Sequence, residues 1–244
     1  MACGGPVAGP RTPVRVIPMS RPLPLDRAAT GLRALPPSCG PVRLVAVDGH
    51  AGSGKSTFAG LLAEALGGVP VLHLDDLATH DELFSWTGRL LGQVIGPWSR
   101  GHGALYRPYD WELRRFGPPR GLPAAPLVLV EGVGAGRRAL RPHLAGLLWM
   151  ERDPRASWMR GRRRDGPGLA GFWDTWTAAE SRHFAGDPSR PFADTLIRES
   201  PEGYEWLPGP GATAGANHLL TQCDQFRPLT GRPGIHPAGS ANSA

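Results

Sequence analysis

The chain has 244 residues, 41% of them hydrophobic, which is enough for one large domain or two small ones. Its net charge of +6 sits at the ends: residues 1–41 hold five Arg and one Asp, and residues 208–244 hold two Arg and one Asp. The middle then carries 20 basic against 19 acidic residues, a balance that argues against nucleic acid as a partner, and no apolar run approaches the roughly 20 residues of a membrane span.

Residues 1–36 are rich in Pro, Arg and Gly, and are expected to be a disordered leader with one short helix over 27–35. Pro6, Pro10, Pro13 and Pro18 break any apolar core of signal-peptide type. Cys3, Cys39 and Cys223 show no metal-ligand spacing and fit a reduced cytoplasm.

The run from Val42 to Leu66, VRLVAVDGHAGSGKSTFAGLLAEAL, predicts strand 42–47, a glycine-rich turn and a helix over about 55–66. Gly49 through Gly54, Lys55 and Ser56 follow the spacing G-x-x-x-x-G-K-S, a phosphate-binding loop between strand and helix. Gly49, Gly52 and Gly54 can adopt positive φ without steric cost, turning backbone N–H groups inward as an anion nest. The residues expected to hold nucleotide are Gly49, His50, Ala51, Gly52, Ser53, Gly54, Lys55, Ser56 and Thr57. Lys55 would reach the β- and γ-phosphates and Ser56 would ligate Mg²⁺. The alternative is a flexible Gly/Ser turn matching by chance. Against it stands composition: the other 26 basic residues are all arginine, and the single lysine occupies this slot. A compact ammonium suits the slot where a forked guanidinium does not.

Further along, VPVLHL (69–74) is a second buried strand ending on Asp75-Asp76. Residues 80–96 are expected to be helical, interrupted by Gly88 and Gly92. A loop-rich insert, 97–124, contains YRPYDW. PLVLV (126–130) is a third strand ending on Glu131-Gly132, Arg137 to Leu144 a short helix, and AGLLWM (145–150) a fourth strand. Asp153 as N-cap and Pro154 at the first helical position start a helix running to Arg164. A second helix, 169–185, spaces Phe172, Trp173, Trp176, His183 and Phe184 along one apolar face. ADTLI (193–197) reads as a fifth, edge strand, and 208–244 as a disordered tail. Alternating strands and helices imply right-handed βαβ units and a parallel sheet of about five strands over 37–207; joined to the phosphate-binding loop, this is the expected α/β, three-layer P-loop NTPase fold. Such a sheet places its ligand at the carboxyl ends of its strands, where Asp48, Asp75 and Glu131 would share one crevice.

Asp75 is read as the general base that takes the acceptor hydroxyl's proton, beside the plainer reading of a helix cap. Glu131 would hold the Mg²⁺ shell or the acceptor hydroxyl. Arg160, Arg163 and Arg164, at i, i+3 and i+4, gather on one helix face as a lid over the transferring phosphate. The lid would span about 153–168 and hinge at Gly166-Pro167-Gly168, with Asp165 holding the arginines; the alternative is a solvated helix end. Tyr109, Asp110 and Trp111 offer a hydrogen-bonding acid between flat rings for a sugar and base, or simple packing. His50, His80 and His183 show no ligand spacing, and His183 reads as a core histidine.

The segments VAVDGHAGSGKSTFA, LHLDDL, YDW, LVEGVG and MRGRRRDG resemble the uridine kinase-like nucleoside kinases of the P-loop superfamily. That resemblance implies an ATP- and Mg²⁺-dependent enzyme of the cytoplasm. Asp75 would be its base, Asp110 its sugar contact, Glu131 its metal and acceptor residue, and Arg160, Arg163 and Arg164 its lid. Leu77-Ala78 stand where the family carries an aromatic. The expected activity is transfer of the γ-phosphate of ATP to a hydroxyl of a small nucleoside-like acceptor. The alternatives are an ATP-binding regulatory module with a degenerate site, or a kinase of a vitamin or sugar. The sequence leaves the oligomeric state open.

Overall fold

A computed structural model describes residues 24–212 of the chain. The order is helix α1 (Leu25–Ala34), strand β1 (Arg43–Asp48), α2 (Lys55–Ala65), β2 (Val71–His73) and a 3-10 turn over Leu74–Asp76. A helical segment follows, α3 (Thr87–Leu90) running through a π turn into α4 (Gly96–Ser99). The insert is two small hairpins, made from β3 (Ala104–Tyr106), β4 (Tyr109–Asp110), β5 (Arg115–Phe116) and β6 (Arg120–Leu122). Then come β7 (Leu127–Glu131), β8 (Gly146–Met150), α5 (Pro154–Asp165), α6 (Ala170–Gly186), β9 (Thr195–Ser200) and β10 (Gly203–Pro208).

The central sheet runs β10-β9-β8-β1-β7-β2, parallel throughout except for β10, which pairs antiparallel with β9. Side chains alternate across β1 and divide two cores. Val45 and Val47 pack with Phe58 and Leu62 of α2 and with Ala28, Ala29 and Leu32 of α1. Leu44 and Ala46 face the other way, onto Trp86, Leu90 and Trp98. These are the three layers the alternating pattern predicts, with the five expected parallel strands and antiparallel β10 added at one edge.

Two boundaries differ from expectation. Residues 24–36 are not a disordered leader: α1 buries three apolar side chains against the sheet, and Arg33 donates to the Ala65 carbonyl at the end of α2. The expected helix over 27–35 is therefore present, but as part of the core. β9 is not an edge strand, because β10 covers it. Tyr204 and Trp206, two apart and so on one face, lie 4.8 and 5.7 Å from the Phe58 ring. The domain also runs past 207, since Gly209 and Gly211 donate to the carbonyls of Asp194 and Ala193. The rest of the expected leader and tail, with Cys3 and Cys223, lies outside the described residues. Cys39 is free and buried, and among the described residues no helix is long and apolar enough to cross a membrane.

Smaller differences have local causes. β2 stops at His73 because Leu74–Asp76 turn into a 3-10 helix, swinging both aspartates off the strand. The helix expected over 80–96 begins only at Thr87, and the one expected over 137–144 shrinks to a 3-10 turn, Arg141–His143. Asp153 caps α5 as predicted, accepting from the Ala156 N–H at 2.9 Å.

Candidate active site

The parallel register brings three strand ends together: Val47 and His73 both sit opposite Glu131. The loop from Gly49 to Gly54 crosses this edge, and positive φ values at Gly49, Gly52 and Gly54 curl its backbone ahead of α2. Gly52 is required on a second ground: a Cβ there would lie 2.1 Å from the Ser157 carbonyl oxygen. The loop is therefore packed against the backbone of α5. Lys55 is buried and donates from Nζ to the His50 carbonyl at 2.9 Å, while Ser56 and Thr57 begin the first turn of α2. Strand, glycine loop and helix together make a P-loop NTPase fold, with the anion nest and the positive end of α2 at the sheet's carboxyl edge.

In front of this loop lies a crevice of about 480 Å³. Lys55, Ser56, Asp75, Glu131 and Arg164 line it at the polar end, and Trp111, Phe172, Trp173 and Trp176 at the aromatic end. Asp75 is accessible through the mouth yet enclosed by the walls. That enclosure, reinforced by the Glu131 charge and opposed by Lys55 and His73, pushes its pKa up to about 6. Trp111 fixes the backbone there, donating from Nε1 to the Asp75 carbonyl at 3.1 Å. Asp76 does something different, accepting from Tyr106 and Arg120 and so tying the turn to the insert.

Glu131 Oε1 accepts from Ser56 Oγ at 3.0 Å and from His73 Nδ1 at 2.6 Å, while Oε2 is buried with no partner. The Glu131 hydrogen bond, against the drag of burial, raises the His73 pKa. An orphaned carboxylate oxygen beside a hydroxyl is a hard donor pair that fits Mg²⁺, which takes few protein ligands and completes its shell with water and phosphate. Among the described residues there is no cluster of three or more His, Cys, Asp or Glu able to hold a metal.

Several expected site residues fall elsewhere. Asp48 is fully buried and outside the crevice; its oxygens accept from the backbone N–H groups of Gly49, Gly134 and Gly136. It ties the phosphate loop to the loop after β7. Asp110 accepts from the Glu112 and Leu113 N–H groups, closing its own turn, and does not line the crevice. Tyr109 is turned aside to His80, 3.0 Å from its ring nitrogen. Trp111 does line the crevice, as does Glu112, a carboxylate that no sequence signal singles out.

The arginine face divides. Arg164 reaches the crevice, held bidentate by Asp165 at 2.6 and 3.0 Å; that hydrogen bonding raises its pKa and lowers that of Asp165. Arg160 lies against the loop at Gly54, bonded to Glu199. Arg163 faces a separate surface hollow with Met159 and Pro167. The i, i+4 pair turns toward the loop and the i+3 member turns away, since α5 presents to the loop the narrow side marked by Ser157 and Gly161.

Two buried charged residues were not expected from the sequence. Arg137 lies 3.6 Å over the Trp86 ring and donates to the Phe84 carbonyl; burial, against the pull of Asp48 and Asp187, lowers its pKa to about 10. Glu180 is a carboxylate on the apolar stripe of α6, at Trp173 plus seven and Trp176 plus four. A lone acid on such a stripe is a usable signal. His183 is a core histidine, stacked 5.0 Å from Phe84, and burial lowers its pKa.

No family model matches the chain, and no curated protein matches it. Solved structures similar to it include one described as a "possible uridine kinase" from Bacillus stearothermophilus, with TM-score 0.49 and 17% identity over 70% of this chain and 96% of that one. Another is a "putative fructose transport system kinase" from Silicibacter sp. TM1040, with TM-score 0.44 and 22% identity over 66% of this chain and 89% of that one. Likeness at this level says nothing of chemistry, which rests here on the site's own residues.

Proposed function

We propose that the protein is a kinase of the cytoplasm, moving the γ-phosphate of ATP to a hydroxyl of a small acceptor. The observation that carries the reading is the shared crevice: the Asp75 carboxylate lies in one cavity with Lys55, Ser56 and Arg164, where enclosure pushes its pKa up. A phosphate site alone needs no such base. Phosphoryl transfer to an alcohol does, because the acceptor hydroxyl must lose a proton as the new P–O bond forms.

The loop amides and Lys55 would bind the β- and γ-phosphates. Ser56 and Glu131 would hold Mg²⁺, which when bound offsets charge on the phosphate oxygens. Asp75 would orient the acceptor hydroxyl and take its proton, and Arg164, steadied by Asp165, would meet the charge developing on the transferred group. The aromatic end, formed by Trp111, Phe172 and Trp176, would exclude water and offer flat apolar contact to the acceptor.

That end also favours one alternative over a nucleoside. Asp110 closes its own turn through one carboxylate oxygen and does not line the crevice, Tyr109 is turned to His80, and Glu112 lines the pocket beside Trp111. A vitamin or another hydroxyl-bearing small molecule fits these residues as an acceptor class. The test is a panel of nucleosides, vitamins and sugars assayed for acceptor-dependent ADP release. A panel without a phosphorylated product, with Asp75→Asn leaving slow ATP hydrolysis unchanged, would replace the kinase by an ATP-binding regulatory module.

A further inference from the structure

Glu180 has no solvent exposure, and the proposed chemistry makes no use of it. Its Oε1 accepts from His50 Nδ1 at 2.7 Å and from Trp158 Nε1 at 2.9 Å. Its Oε2 accepts from the Ala51 N–H at 3.1 Å and from Trp176 Nε1 at 2.9 Å. Three partners are N–H donors and His50 Nδ1 donates in the tautomer that pairs with a carboxylate, so the site is shaped for one; a protonated acid or an amide would set donor against donor at the Ala51, Trp158 or Trp176 N–H. Burial opposes its charge, but the His50 hydrogen bond, the Lys55 charge and the Trp158 N–H outweigh it and hold the pKa below the ordinary value.

The origin of the four donors is informative. His50 and Ala51 belong to the phosphate loop. Trp158 belongs to α5, the helix that carries Arg160 and Arg164. Trp176 belongs to α6 and lines the acceptor end. One buried ion thus joins the three parts that in-line transfer must keep in register. It also engages the Ala51 N–H, while the Ser53 N–H donates to the His50 carbonyl. Lys55, in turn, rests its ammonium on the carbonyl of His50, the residue whose ring Glu180 holds.

We infer that Glu180 is a positioning residue: it fixes His50 and Ala51, and through the His50 carbonyl the Lys55 ammonium, against the lid helix and the acceptor wall. This rests on the kinase reading above. Glu180 touches no substrate and acts through the groups it holds. A purely structural ion would couple to stability alone, whereas a positioning one also sets phosphate affinity.

The test uses the full chain and measures Mg·ATP affinity by calorimetry beside the thermal midpoint. His50→Phe keeps ring packing against Trp149 and Phe184, whose centroids lie 5.4 and 5.1 Å away, and removes only the donor. It and Glu180→Gln should each weaken Mg·ATP by about tenfold or more, the scale of one hydrogen bond to a charged group. Trp158→Phe removes another donor to the same carboxylate oxygen, one supplied by α5 and not by the loop. It should lower the midpoint while changing affinity by less than about threefold, well under one such bond. Wild-type affinity in folded His50→Phe overturns the inference, as do equal affinity losses in all three variants. If Glu180→Gln does not fold, His50→Phe decides. A wild-type chain that binds no Mg·ATP overturns the kinase reading and this inference with it; wild-type binding with His50→Phe unchanged overturns the inference alone.

Discussion

Ser56 Oγ donates to Glu131 Oε1 at 3.0 Å, and the second oxygen of that carboxylate is buried without a partner. A buried acceptor with nothing to accept costs stability unless something else is meant to meet it. Glu131→Gln should therefore leave the metal-free thermal midpoint near wild type or raise it. Mg²⁺ demand should rise on the order of tenfold or more, the scale of a charge-assisted contact. Titrating Mg²⁺ against ATP turnover reads this directly, and chelation should abolish turnover. An unchanged Mg²⁺ requirement would remove Glu131 from the metal site.

Trimming the chain to residues 37–207 should cost stability. Such a chain loses α1, whose Ala28, Ala29 and Leu32 are buried against α2 and β1, and the backbone bonds from Gly209 and Gly211. The milder test is Leu32→Ala, expected to cost about 2–5 kcal/mol in denaturant unfolding, as for a buried leucine. A cost near zero would mean that α1 is not packed on the core.

Lys55→Arg should abolish turnover nearly as completely as Lys55→Ala. The ammonium is buried and donates to the loop's own His50 carbonyl at 2.9 Å. A planar guanidinium is larger and cannot reproduce that point contact. Measured kcat near wild type in Lys55→Arg would show that the single lysine reflects composition and not the slot.

The two neighbouring arginines should separate. Arg164 lines the crevice while Arg163 faces another hollow. Arg164→Ala should lower kcat by roughly 10²–10³, the scale of removing one donor to developing charge. Arg163→Ala should stay within about threefold of wild type, as expected of a surface side chain without a paired role. Equal effects from both would return α5 to a lid that acts through its overall charge.

Much of this was legible in the sequence. Spacing alone located the glycine loop between β1 and α2, since such a turn needs glycines at fixed offsets. The Asp153-Pro154 start was equally local. Features that depend on where a helix is rotated were hidden. Arg163 and Arg164 are adjacent in the chain and part company only because α5 packs Ser157 and Gly161 onto the loop. Asp110 reads as a pocket acid until its turn closes on its own carboxylate. The helix near 27–35 was legible, but its place in the core was obscured by the proline-rich run before it, and β10 was hidden by the Gly and Pro at its ends, although Tyr204 and Trp206 alternate as a strand should.

Asp75 offers the sharpest pH test. Its pKa is raised to about 6, chiefly by enclosure, with the Glu131 charge adding to it. A base works only when deprotonated, so kcat/KM should fall below about pH 6 with a slope of one. Asp75→Asn should remove that limb and lower the plateau by roughly 10²–10⁴, with Mg·ATP affinity within a few-fold of wild type. Stability should move the opposite way. The folded state holds this proton more tightly than the unfolded chain, so the favourable contribution is complete below the unfolded carboxylate pKa and is lost as pH rises through about 6. Asp75→Asn should accordingly raise the thermal midpoint at pH 8 relative to wild type, with the advantage shrinking toward pH 4. Solvent access through the crevice mouth keeps that shift modest. A variant both slower and less stable at pH 8 would mean that Asp75 serves the fold, and the base would have to be sought at Glu112 or Glu131.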